Sequence, residues 1–207
     1  MRTKYKMTDE TTGVNGQTLR RVEALIDIPY AKVKAGDKGG FIVSEENLSQ
    51  DGNCWVGGKA QVFDNAQVSG NAQVFGNAQV SGNAQVYDGA KVSWLACIHG
   101  DAVVSGMARV YYKAEVFGNA WIDGNAQVSG NAKVCGNAWV ADNAYVDGNA
   151  EVCGNAEVCG NARVFGDARV SGDAIVSENA QVSGDAKIHG KAQVYGDTIL
   201  RTGEYEM

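Results

Sequence analysis

Every sixth residue from Val56 to Leu200 is aliphatic, with no insertion or deletion along the way. Twenty-five positions take part, all valine except Ile98, Ile122, Ile188 and Leu200. Two residues before each stands alanine, from Ala60 to Ala192, with Cys54 and Thr198 in that slot at the two ends. Ahead of the alanine comes mostly Gly-Asn or Gly-Asp, as in Gly70-Asn71-Ala72-Gln73-Val74-Phe75. A period so strict leaves few folds open, because each repeat is one small unit that buries its apolar side only by stacking on its neighbours.

The unit reads physically as strand and turn. In x-Val-x the valine points one way and its neighbours the other, and β-branching suits that role. Gly-Asn is a turn in which positive φ is cheap, since glycine lacks a Cβ and asparagine tolerates the left-handed region. Alanine fits a tight corner. Three strands and three turns close a triangular coil of eighteen residues, so residues 56–200 make about eight coils. Stacked about 4.8 Å apart, these form a prism about 38 Å long. A helical reading fails, because a glycine every six residues costs a helix about 1 kcal/mol each.

The 27 glycines and the single proline, Pro29, fit an ordered array better than a disordered chain. The net charge of −6 disfavours a nucleic-acid backbone as partner. No apolar run reaches the length of a membrane span, and the start of the chain lacks the apolar segment of a secretion signal. The expectation is therefore a cytoplasmic protein whose five cysteines are reduced thiols, with no metal.

Residues 1–55 stand outside the hexads. Lys4 to Met7 and Leu19 to Ile28 read as strands joined through Gly13-Val14-Asn15-Gly16, a hairpin that caps the first coil. Residues 201–207 form a polar tail that closes the last coil or stays loose.

The hexads resemble the hexapeptide-repeat superfamily, which implies an all-β fold: a single-stranded left-handed parallel β-helix with a small N-terminal β cap. Val33-Lys34-Ala35-Gly36, Gly39-Gly40-Phe41-Ile42, Asn47-Leu48-Ser49-Gln50 and Gly52-Asn53-Cys54-Trp55-Val56 resemble the leading segment of YdcK-type hexapeptide-repeat proteins of enterobacterial and phage-related origin. That group carries a transferase label but no catalytic residue set to transfer. Hexapeptide acyltransferases imply a homotrimer with active sites between subunits, a histidine base and a coenzyme A thioester. Only His99 and His189 could serve here, five coils apart and without an inserted loop, His99 being the better placed.

Residues eighteen apart share a column on the surface. Glu115, Lys133, Glu151, Arg169 and Lys187 form a mostly alternating charge column. Val103, Trp121, Trp139, Glu157 and Ile175 form another, in which Val103, Trp121, Trp139 and Ile175 make an apolar interface stripe with a homo-oligomer (dimer or trimer) as the simplest partner. Cys135 and Cys153 are neighbours in a third column, but side chains leaving parallel strands in parallel directions argue against a bridge. Trp94-Leu95 and Tyr112-Lys113 replace Gly-Asn at one corner in adjacent coils. With Tyr111 they suggest a recognition patch of Trp94, Leu95, Tyr111 and Tyr112 for a protein partner. The expected function is a non-enzymatic scaffold or binding module. The alternatives are an acyltransferase and a structural fibre.

Overall fold

The computed structural model describes residues 3–206. Its body is a parallel β-solenoid of three sheets, one per side of a triangular coil. The first face starts at β3 (Lys38–Ile42) and continues through Gln61–Val62 and every third strand to Lys187–His189. The second face runs from Gln67–Val68 to Gln193–Val194, and the third from Trp55–Val56 to Ile199–Leu200. Strands eighteen residues apart are parallel neighbours in register, as Lys91 with Arg109 and Val92 with Val110. The aliphatic series lies inside: every member is buried except Leu200 at the open end, and the corner alanines are buried with it.

About nine coils result. The eight read from the hexads are preceded by a leading coil of Ile42, Leu48 and Val56. There β3 pairs with Gln61–Val62 and Leu48 bridges to Val68. The step from Leu48 to Val56 is two residues longer than a hexad, which hides this coil from a search for period six.

Strands β1 (Tyr5–Val14) and β2 (Gln17–Ala24) form an antiparallel hairpin turning at Asn15-Gly16, both with positive φ. β2 pairs antiparallel with β3, so the hairpin extends the first face past the leading coil. A Cβ on Gly40 would overlap the Ala60 carbonyl, which explains a glycine where the chain enters its first coil. Tyr5 is fully buried and donates its hydroxyl to the Leu48 and Glu45 carbonyls at 2.6 and 3.2 Å; burial first, then Glu45, raises its pKa well above the ordinary range. Lys4, also buried, donates to the Asp51 carbonyl and to Cys54 Sγ, each at 3.2 Å. The hairpin stem therefore closes over the Cys54 corner. At the other end Glu204–Glu206 adds a parallel strand beside Lys187–His189, so the tail continues the first face.

The corners explain the glycines. Positive φ recurs every six residues from Gly52 to Gly196, always at the first position of the turn. Among the described corners no asparagine takes positive φ, so asparagine is there for another reason. Its side-chain amide donates to the residue eighteen positions on, as in Asn125→Asn143→Asn161→Asn179→Asp197 at 3.0–3.2 Å. Hydrogen-bonded ladders run along the corners beside the backbone ladder.

Candidate functional site

Six corner positions in the solenoid body hold the left-handed φ without glycine. At four of them, Asp64, Asp88, Asp142 and Glu178, a carboxylate accepts a hydrogen bond from the backbone N–H of the glycine one coil further on. That bond offsets part of the backbone strain. The other two are Trp94 (φ 63°) and Tyr112 (φ 60°), which stack at one corner in adjacent coils. Among the described residues neither makes a side-chain hydrogen bond that compensates. A bulky residue in this region costs roughly 1–2 kcal/mol, and here it leaves the rings in solvent: Trp94 is 60 % and Tyr112 51 % exposed. Their centroids are 5.6 Å apart, and the Tyr111 ring lies 5.2 Å from Tyr112. Leu95 is exposed beside them, so all four residues of the expected patch meet at one corner.

Two depressions flank Trp94. One is an open groove of about 400 Å³ on the third face, lined by Phe75, Lys91, Trp94, Arg109, Tyr111 and Gln127, with Ser93 at its floor. The other is more apolar and lies between Phe75, Trp94 and Leu95. Phe75, Lys91, Arg109 and Gln127 are the members that reading by corners missed. The signal was present: all four lie on the strand before the irregular corner or in the coils beside it.

The tryptophan column lies on the second face, away from that corner. Val103, Trp121 and Trp139 are consecutive register partners, and the indoles stack with centroids 6.1 Å apart. Trp121 donates its indole N–H to Ser105 Oγ at 3.0 Å, and Ser105 in turn donates to Asp123. Ile175 is separated from Trp139 by Glu157, so the continuous apolar run is the first three residues.

His99 Nε2 lies 3.2 Å from Glu115 Oε1, and its ring stacks on Phe117 at 5.1 Å. It does not line the aromatic groove. His189 pairs instead with Glu204 of the tail at 3.0 Å. The charge column forms close ion pairs two by two, Glu115 with Lys133 and Glu151 with Arg169.

The cysteines depart from expectation. Cys135 and Cys153 form a disulfide between adjacent coils, with Cα atoms 4.6 Å apart. The argument from parallel side chains fails because both cysteines follow the strand, where the chain is already turning, and their separation falls inside the bridging range. The Glu151 carboxylate and these sulfurs have their ligating atoms within 4.8 Å, but sulfurs bonded to each other offer no thiolate to a metal. Cys54, Cys97 and Cys159 remain thiols. Burial, then Glu157 and Asp142, pushes Cys159 up to about 11, and burial with Glu115 raises Cys97, so neither is primed as a nucleophile.

The arrangement defines a class: a parallel β-solenoid of six-residue repeats with a β cap and no helix long and apolar enough to cross a membrane among the described residues. A model of the YdcK β-solenoid repeat matches residues 66–82, 72–93 and 168–184, so the coils are built of YdcK-type solenoid repeats. These matches fall in the coils, whereas the resemblance in the sequence was carried by the leading segment. Comparison with curated proteins finds no match.

Proposed function

We propose that this protein is a non-enzymatic solenoid scaffold that recognises a binding partner through the corner formed by Trp94, Leu95, Tyr111 and Tyr112. The observation that carries the reading is the uncompensated left-handed backbone at Trp94 and Tyr112. Strain kept at an exposed position, where glycine serves at the same corner in other coils, is a mark of a selected contact surface. Exposed tryptophan and tyrosine rings on a rigid backbone supply contact area at small entropic cost.

The acyltransferase alternative has weaker support. A general base needs an acceptor beside it and a pocket for the thioester arm. His99 instead faces Glu115 and lies flat on Phe117. Thiol release from acetyl-CoA, followed with the native protein and with His99→Ala, tests this. The proposal expects no release that depends on His99; turnover lost on that substitution would overturn it. The fibre alternative is opposed by the antiparallel hairpin that covers the N-terminal end of the stack.

A second reading applies to the second face. The stacked, exposed Trp121 and Trp139 beside Val103 favour self-association through that side, leaving the Trp94 corner free.

A further inference from the structure

The groove beside Trp94 combines two features that are each unfavourable without a ligand. The first is the strained aromatic corner. The second is a pair of unmatched cations: Lys91 and Arg109 are direct neighbours across the parallel ladder of the third face. Like charges so placed repel. Among the described residues neither has a carboxylate within ion-pair distance or a ring beneath it. Several other strand cations of the coils are matched. Arg163, in the same column, lies 5.5 Å from the centroids of both Tyr145 and Phe165, and Lys133 and Arg169 of the first face pair with Glu115 and Glu151. In a chain of net charge −6, two adjacent cations left without partners mark a place for an external anion.

The groove is ordered in rows along the solenoid axis. One row is polar and cationic: Gln73, Lys91, Arg109 and Gln127, one residue per coil in register. The next row carries Phe75, Ser93 and Tyr111, so its two rings stand two coils apart, and the corner row carries Trp94 and Tyr112 in adjacent coils. Tyr111 donates its hydroxyl to Gln127 Oε1 at 3.3 Å, which leaves the Gln127 amide N–H groups available to the groove. A ligand lying along the axis therefore meets rings on one side and cations with amide donors on the other, the polar row and the Trp94/Tyr112 pair repeating about every 4.8 Å.

That spacing selects the polymer. Stacked nucleobases advance about 3.4 Å per residue and fall out of step with the rows. An extended peptide presents same-side groups about 6.6 Å apart and is also out of step. A chain of pyranose rings linked across the ring advances about one coil per sugar. Its C–H faces suit aromatic side chains, and its uronate carboxylates suit Lys91 and Arg109. We propose that this groove binds an acidic saccharide chain laid along the solenoid axis, with its carboxylates on Lys91 and Arg109 and its rings on Phe75, Tyr111 and Trp94. The proposal rests on reading the corner as a recognition surface.

The test is titration calorimetry of the whole protein with oligogalacturonate, the neutral cello-oligosaccharide of equal length, oligothymidylate and oligoglutamate. Oligogalacturonate is expected to bind, and to bind more weakly as salt rises. The neutral oligomer should be weaker by about tenfold or more, the value of one or two charge-assisted contacts. K91Q/R109Q should reduce oligogalacturonate binding to the level of the neutral sugar. W94G should abolish it and raise the denaturant midpoint. Tighter binding of oligothymidylate or oligoglutamate, or undiminished oligogalacturonate binding by both variants, would overturn the proposal. Absence of oligogalacturonate binding alongside a raised midpoint in W94G would sink the saccharide assignment and leave the recognition corner standing; an unraised midpoint would remove the corner reading itself.

Discussion

Each interior asparagine of a corner ladder has two jobs: its Nδ2 donates to the coil ahead while its Oδ1 accepts from the coil behind. The last member of a ladder need only accept, and in four ladders that residue is an aspartate: Asp101, Asp167, Asp173 and Asp197 each end a run of asparagines, while the short ladder from Asn53 ends in Asn71, where Gly89 stands in the next coil. A carboxylate accepts but cannot donate, so its place at the end follows from hydrogen-bond chemistry alone. The choice between Asn and Asp was visible in the sequence, yet it carried no meaning until residues eighteen apart were seen to touch through their side chains. Asn143 is an interior member of the longest ladder described. N143D should lower stability by about 1–2 kcal/mol, the cost of one lost bond and an orphaned acceptor on Asn161. D197N, at a ladder end, should be close to neutral. Equal effects of the two in denaturant unfolding would mean that the ladders do not stabilise the fold.

The elements of the coils are almost all two-residue strands, and no such strand is stable apart from its neighbours above and below. This is why the coil body was legible from Val, Ala and Gly spacing: every strand repeats the same local rule, and register follows by counting. The leading coil was not legible, because the longer step from Leu48 to Val56 breaks the count and its members are recognised only by their pairing. The disulfide was missed for a different reason. Direction along a strand was judged at the valine, while Cys135 and Cys153 occupy the bend that follows it. Closing a loop of eighteen residues contributes about 3 kcal/mol in the chain-entropy picture. Reductant should therefore lower the denaturant midpoint of the native protein and leave C135S/C153S unchanged. The same midpoint with and without reductant would argue that the bridge does not form in solution.

At the scale of the whole molecule, the solenoid separates its two aromatic surfaces onto different sides. The tryptophan column is on the second face, and the strained corner lies where the third face turns into the first. Spacing in the sequence identified both sets, because column membership is arithmetic. It missed Phe75, Lys91, Arg109 and Gln127, because a groove is made by side chains from several coils that converge only in three dimensions. Self-association through the second face predicts a multimeric mass by light scattering, reduced to that of a monomer in W121A/W139A. An unchanged mass in that variant would remove the second face as the interface.

The central claim is that Trp94 and Tyr112 are held in a costly backbone conformation for the sake of what they contact outside the chain. Equilibrium guanidinium unfolding of W94G/Y112G tests it most directly. Relief of roughly 1–2 kcal/mol at each site, offset by the lost ring pair and by the freer unfolded chain that glycine brings, leaves a net gain of about 1 kcal/mol. The account predicts a higher midpoint at unchanged slope. A midpoint equal to or below that of the native protein would show that the rings stabilise the fold itself, and would contradict it.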